Sequence, residues 1–349
     1  MHMTNAYRLK NGTTLSVSTM ALYATGLNAW NQFQFEGPTT EEPDDLRTFT
    51  CVLHGNAIHH VRSFLSYTFV RCENGNTLLA GMIPKGHERL RISNKQTYET
   101  FVEASNDIVV AYDGISTLHQ YPSIRDLLSN RPAASFPNFP DIIQLVAYAT
   151  GYAALTSTGQ VWTWGDERYT PCLGREPSDE SPASTPGPVP SLTDLPTGPI
   201  TKLATSPGSY LLAALTAGND LYVWGDRGRA AIFCSALSLT DMPSPVVIGV
   251  DDDDNGKDVA DVAVGDAHII ALTTDGEVYV VGDNANGQLG VPGLAAASTW
   301  TRVDLGSLEG GEEQQSRVTG VAAGPRSSFL IVRNNQNQPD LTPTAGAGM

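Results

Sequence analysis

The sequence predicts an all-β chain closed on itself as a β-propeller of six detectable blades. Three observations carry that prediction. A unit of two apolar runs around a turn pair, followed by a glycine-containing loop, recurs along the chain. Glycine (33) and proline (22) are abundant in 349 residues, which suits many short strands and turns better than long helices. Two incomplete copies of the unit stand near the two ends, and together they make one more.

The clearest unit is VADVAVGDAHIIALTTDGEVYVVGDNANGQLG, from Val259. Its runs Ile269 to Thr273 and Val278 to Val281 are apolar and β-branched, which suits a buried pleated surface. They are nearly continuous in apolar character, so both faces of each strand should be covered by neighbouring blades. Between them, Asp275-Gly276 suits the positive φ of a two-residue hairpin turn. Beneath this unit align ITKLATSPGSYLLAALTAGNDLYVWGDRGRAAI from Ile200 and IQLVAYATGYAALTSTGQVWTWGDERYTPCLG from Ile143. Fainter copies start at Val61 (VRSFLSYTFVRCENGNTLLAG) and Phe101 (FVEASNDIVVAYDGISTLHQY).

The turn slot then holds Asn74-Gly75, Asp113-Gly114, Thr158-Gly159 and Gly218-Asn219, with Asn334-Asn335 in the C-terminal half-unit. Exchange among Asp, Asn and Gly indicates that backbone conformation is what the slot keeps. A glycine follows the second run at Gly26, Gly81, Gly165, Gly225 and Gly282, with Gln120 in that slot of the Phe101 copy. Trp164 and Trp224 precede two of these glycines. In the loop beyond, Leu289 is expected to plug the space between blades, as are Phe33, Leu173 and Ile232 elsewhere.

The N-terminal copy, LYATGLNAWNQFQF from Leu22, matches only the second half of the unit. The C-terminal copy, VTGVAAGPRSSFLIVRNN from Val318, matches only the first. An unsealed ring would leave strand edges exposed. Leu22–Leu53 and Val318–Arg333 are therefore expected to share one blade, with the two ends of the ring close in space. Successive loop glycines lie about 39 to 60 residues apart, which favours six blades. A seventh stays open at YRLKNGTTLSVS, which carries the hairpin-like pair Asn11-Gly12. The domain reading is an N-terminal extension (1–20), a single propeller (21–335) and a polar disordered tail (336–349).

The matches GDAHIIALTTDGEVYVVGDNANGQLG, ALTSTGQVWTWGD and LTAGNDLYVWGD resemble the repeat of the regulator of chromosome condensation family. That repeat carries a G-x-x-H-S-x-x-L strand, a D-G turn, a V-Y-x-W-G strand and a G-Q-L-G loop. The resemblance spans nearly the whole chain, and three units carry it clearly. It implies a β-propeller, usually of seven blades, where the count here is six. In layout the chain is similar to short single-propeller members. One of these partners a JmjC-type histone demethylase, and another a small zinc protein in diphthamide synthesis and Elongator-dependent tRNA modification. The repeated Gly-Trp-Arg-His-Thr of the plant photoreceptor members is absent here.

The formal net charge of −16 disfavours direct contact with nucleic acid or anionic lipid and favours a basic protein partner. Cys51, Cys72, Cys172 and Cys234 form no C-x-x-C pair, so neither a zinc site nor a dense disulfide frame is expected. A reduced compartment, cytoplasm or nucleus, is the simpler setting. No apolar run approaches the ~20 residues of a membrane helix, and no secretory signal pattern opens the chain.

Asp251, Asp252, Asp253 and Asp254 form an acidic loop that either recruits a basic partner or is a solvated connector. Arg227 and Arg229 are a basic pair, read as interface candidates or as a solvent-facing loop. His268 occupies the repeat's Gly-x-x-His slot and is read as structural, its ring bonding backbone near the channel. His54, His59 and His60 lack a convergent further ligand, so no metal site is expected. Glu176 to Pro199, rich in Pro, Ser and Thr, is either a docking or phosphorylation loop or a long flexible connector. No Gly-x-Ser-x-Gly elbow or phosphate loop stands out, so neither a catalytic residue nor a cofactor is expected. Function divides into two readings. One is a non-enzymatic interaction scaffold, monomeric on its own, that binds a partner such as a chromatin-modifying or tRNA-modification enzyme. The alternative, which the resemblance implies, is a guanine-nucleotide exchange factor for a Ran-like GTPase.

Overall fold

A computed structural model describes residues 19–55, 58–73, 75–84, 100–226, 237, 240–249, 256–306 and 314–336. In chain order the strands are β1 (Thr19–Gly26) and β2 (Leu46–Gly55), then β3 (Ile58–Ser63), β4 (Tyr67–Cys72) and β5 (Thr77–Gly81). The third group is β6 (Thr100–Glu103), β7 (Val109–Tyr112), β8 (Leu118–Tyr121) and β9 (Ala134–Phe136). The fourth is β10 (Ile142–Tyr148), β11 (Gly151–Thr156), β12 (Val161–Gly165) and β13 (Gly187–Pro188). The fifth is β14 (Ile200–Ala204), β15 (Leu211–Thr216), β16 (Leu221–Gly225) and β17 (Ser244–Val246). The sixth is β18 (Val259–Val264), β19 (His268–Thr273), β20 (Val278–Asp283) and β21 (Ala296–Arg302), after which come β22 (Gln314–Gly324) and β23 (Ser327–Gln336).

These strands form six antiparallel sheets among the described residues, a six-bladed propeller. The ring is sealed as the two half-units require. The closing sheet runs β2-β1-β23-β22, with Leu22 opposite Ile331 and Ala24 opposite Phe329. The C-terminal segment supplies the two inner strands and the N-terminal segment the two outer ones. Asn334-Asn335 is therefore not a turn. It continues β23, pairing with Ser316 and Gln315, because the next strand of that blade comes from the other end of the chain.

The core lies between blades rather than within one. Strands β11, β15 and β19 are buried along their whole length. Leu289 is fully buried between the sixth and closing sheets, beside Ile270, Val280 and Leu330. Trp224 fills the wedge between the fourth and fifth sheets, and its Nε1 donates to the Cys172 carbonyl at 3.1 Å. Trp164 packs between the third and fourth, 5.5 Å from the Tyr152 ring.

The hairpin turns differ from the two-residue form. Gly276 N–H donates to Thr273 O, and Thr273 N–H to Glu277 O, so three residues form the loop. Its last residue is left-handed: Gly276 at φ 92°, Gly159 at 81°, Asn219 at 72° and Gly75 at 79°. This is a type I turn closed by one left-handed residue, and it leaves the Asp of Asp-Gly in an ordinary conformation. The glycines after the second run answer a different demand. A Cβ on Gly225 would collide with the Tyr210 carbonyl, and one on Gly26 with the Arg326 carbonyl. In the third sheet, Tyr112 opposite Leu118 matches Leu272 opposite Val278, which puts Pro122 in the glycine slot. Gln120 lies within β8 and pairs with Val110.

Candidate functional site

The innermost strand of five blades carries the same irregularity, a bulge one residue before His60, Gln144, Lys202, Asp261 or Gly320. A bulge leaves ladder groups unpaired. Here the preceding blade supplies the partner. Gln144 accepts from Leu203 N–H at 2.8 Å and donates to Leu203 O at 2.6 Å. Asp261 accepts from Val321 N–H at 2.9 Å, the equivalent donor two blades further round. Lys202 pairs with Asp261. These side chains tie blade to blade around the channel, so their polarity is committed to holding the ring. His60 is held below the ordinary imidazole value, first by loss of hydration and then by Arg62, Lys202 and Arg71. Between the second and third blades, Arg62 donates to Phe101 O at 3.5 Å and lies 5.0 Å from the Phe64 ring centre. Burial lowers its pKa and raises that of Tyr67 to about 12.

One face of the ring is built by the turns between first and second strands and by the long connections between third and fourth. His268 sits fully buried there, its Nε2 donating to Ser327 O at 3.1 Å while Nδ1 has no partner. Burial depresses its pKa to about 4, so at neutral pH the ring is the uncharged Nε2–H tautomer. Asp266 reaches the next turn of the ring, accepting from Ser206 Oγ at 2.6 Å and Gly208 N–H at 3.1 Å.

The same face carries a residue that sequence reasoning missed. Arg175 is 3% exposed, and its guanidinium donates to the carbonyls of Thr163, Ser181, Pro182 and Thr185. It folds the Pro- and Ser-rich segment after it into turns, followed by β13 and a 3-10 turn at Pro190–Leu192. The segment read as either a docking or phosphorylation loop or a long flexible connector is thus organised by one buried cation.

Beside the second blade this face exposes Leu65 (45%) and Met82 (58%). Backbone and hydroxyl bonds hold them in place: Met82 N–H to Ser66 O at 2.7 Å and Ser66 Oγ to Met82 O at 2.8 Å. Gln32 bonds the Leu65 carbonyl and ties this knob to the connection between β1 and β2. That connection exposes Glu36, Glu41, Glu42 and Asp44. An apolar knob beside an acidic strip on a rigid frame can bind a segment of mixed apolar and basic character.

The sequence-predicted contact residues Asp251, Asp252, Asp253, Asp254, Arg227 and Arg229 lie outside the described residues. The strand ends they connect stand at opposite faces: β16 to β17 for the arginines, β17 to β18 for the aspartates. His54 approaches Cys51 Sγ at 3.3 Å, whereas His59 is exposed on β3. Among the described residues no three of His, Cys, Asp and Glu converge as a metal site, and no helix is long and apolar enough to cross a membrane. Cys51, Cys72 and Cys172 are free thiols.

Residues 259–288 match the family model of the Regulator of chromosome condensation (RCC1) repeat. Over 181 residues, 51% of the chain, it is 33% identical to the RCC1 domain-containing protein RUG3, mitochondrial, of Arabidopsis thaliana. Over 174 residues it is 30% identical to the mouse Regulator of chromosome condensation, and over 176 residues 33% identical to the human E3 ubiquitin-protein ligase HERC2. The matched stretch spans 37%, 38% and 3% of those relatives, a minor part of each. The fold is that of Saccharomyces cerevisiae Prp20p, a protein described with its binding properties to Gsp1p and histones. That likeness has a TM-score of 0.63 at 12% identity and covers 97% of each chain. Human WBSCR16 superposes with a TM-score of 0.55 at 16% identity, over 93% of this chain and 88% of that one. The unit at residues 259–288 is therefore similar to an RCC1 repeat, and the ring has the fold of an RCC1-like propeller.

Proposed function

We propose that this chain is a non-enzymatic adaptor that binds a partner protein through the face bearing Leu65, Met82 and the Glu36–Asp44 carboxylates. The observation that carries this reading is the pair of large apolar side chains held out of the core by specific hydrogen bonds. The acidic strip beside them favours a basic segment of the partner. That Prp20p is described as binding a protein and histones supports a protein partner of basic character. A chromatin-modifying or tRNA-modification enzyme is the partner class the resemblance suggests. We place the chain in cytoplasm or nucleus as a monomer when alone. Imaging of a tagged chain tests the compartment, and one relative's mitochondrial name makes that organelle the competing outcome.

The test is capture from native extract on immobilised protein, with quantitative mass spectrometry. The parent and an Ile115→Ser control on the opposite face should retain a stoichiometric partner. The Leu65→Ser, Met82→Ser double variant should lose it. A partner indifferent to the double variant, or no stoichiometric partner at all, overturns the reading. The alternative, nucleotide exchange on a Ran-like GTPase, draws support from similarity to the mouse Regulator of chromosome condensation. Release of mant-GDP from such a GTPase decides it, since no acceleration at micromolar protein removes it.

A further inference from the structure

The Pro- and Ser-rich segment that Arg175 organises holds a hydroxyl placed for modification. Ser178–Ser181 is a tight turn, with Ser178 N–H donating to Ser181 O and Ser181 N–H to Ser178 O, both at 3.1 Å. Asp179 and Glu180 are exposed at its tip, and Pro182 follows it directly. Ser181 is half-buried, and its Oγ accepts from Arg175 Nη1 at 3.1 Å. A Cβ on Gly187 would lie 2.5 Å from that Oγ and 2.6 Å from Arg175 Cζ, so glycine is what lets hydroxyl and guanidinium meet there. Gly187 and Pro188 form β13, the outermost strand of the fourth blade, opposite Thr163 and Trp162.

The guanidinium has no donor to spare. Its Nε faces Thr163 O, and Nη1 faces Ser181 O and Ser181 Oγ. Its Nη2 faces the carbonyls of Thr163, Pro182 and Thr185. Every one of these acceptors is a neutral oxygen, and an arginine N–H pairs more strongly with a phosphate than with a carbonyl. A phosphate on Ser181 Oγ therefore takes N–H groups that now hold carbonyls. It also brings a charge of roughly −1.5 to −2 beside Asp179 and Glu180, which repel it.

We propose that Ser181 is a phosphorylation site, and that its phosphate draws Arg175 off the Pro182 and Thr185 carbonyls and releases residues 182–188 from the edge of the fourth blade. The modifying enzyme is a proline-directed protein kinase, since Pro182 follows the acceptor. The step is transfer of the terminal phosphoryl group of ATP. The bond from Ser181 Oγ to phosphorus forms, the bond from phosphorus to the bridging oxygen breaks, ADP leaves with that electron pair, and the hydroxyl proton passes to solvent. A half-buried hydroxyl in a closed turn reaches a kinase only when the turn opens. The kinase thus captures the opened segment, and the phosphate then opposes its closing. Release stops at Val189, which is buried and whose N–H donates to Val161 O at 2.9 Å. The inference is independent of the Leu65–Met82 face.

The test uses the full chain with phosphoserine encoded at position 181 and, for comparison, at Ser184, which is exposed and lies outside these hydrogen bonds. Hydrogen exchange over residues 176–188 should be about tenfold faster than in the parent with phosphate at 181, and within about twofold of it with phosphate at 184. The buried strands β11 and β15 should exchange alike in all three chains. A phosphate monoester loses its last proton near about pH 6. Arg175 lowers that value, whereas Glu176, Asp179 and Glu180 raise it. Followed by phosphorus NMR, the phosphate at 181 should therefore titrate at least about half a unit below the one at 184. Incubation of the unmodified chain with a proline-directed kinase and ATP should place phosphate on Ser181, located by peptide mass spectrometry. A phosphate at 181 that titrates level with or above the one at 184, or unchanged exchange over residues 176–188, would overturn the release. A native chain left without phosphate on Ser181 by the kinase would overturn the site.

Discussion

Replacing Arg175 tests the claim that one buried cation organises the segment after it. Its guanidinium donates to Ser181 O at 2.9 Å, to Pro182 O and Thr185 O at 3.0 Å, and to Thr163 O at 3.2 Å. Hydrogen bonds to charged groups contribute roughly 1.5–3 kcal/mol each, and a buried acceptor left alone loses about 1–3 kcal/mol. Several of these carbonyls lie near the surface and can rehydrate, so the lower bound applies to three of the four. Arg175→Ala is therefore expected to cost about 4–6 kcal/mol, a large share of the roughly 5–15 kcal/mol that holds a domain folded. Lysine offers one point charge in place of a fork, so Arg175→Lys should recover about half of that loss. Urea unfolding followed by tryptophan fluorescence measures both variants. Limited proteolysis should show new cleavage between residues 176 and 188 in the alanine variant, before the ring itself is cut. Stability within about 1 kcal/mol of the parent, with that segment still protease-resistant, would refute the reasoning.

Three further outcomes follow from the packing. Gly225 has φ 150° and faces the Tyr210 carbonyl with no room for a Cβ, so Gly225→Ala should cost about 2–4 kcal/mol by thermal melting. Gly293→Ala, left-handed but in open space, should cost about 1 kcal/mol. His268 is neutral and buried with a pKa near 4, against 6.5 unfolded, so the unfolded chain binds its proton first. Its contribution is complete above pH 6.5 and is lost as pH falls towards 4, by about 3 kcal/mol over that window. Melting temperatures across that range should fall, and His268→Gln should flatten the slope.

What the residues alone determined was the repeat, and through it the ring. Apolar runs bounded by Asp-Gly, Thr-Gly and Gly-Asn pairs specify hairpins locally, and two half-units at the ends can be sealed only against each other. The pairing of the two end segments, with Leu22 opposite Ile331, is therefore a consequence of the repeat pattern itself. Exact turn geometry is not, because Asp-Gly suits a two-residue loop as well as the three-residue loop that forms. The candidate sites were almost wholly illegible. The charge runs at Asp251 and Arg227 drew attention because they are contiguous, whereas a surface is assembled from residues far apart in the chain. Leu65 and Met82 are brought to one place because a turn and a strand end are bonded together through Ser66, and Arg317 stands opposite Arg333 through the register of a ladder. Local pattern dictates backbone conformation, since its causes lie within a few residues. Only tertiary packing decides which side chains are spared burial, because that depends on everything else the fold brings near.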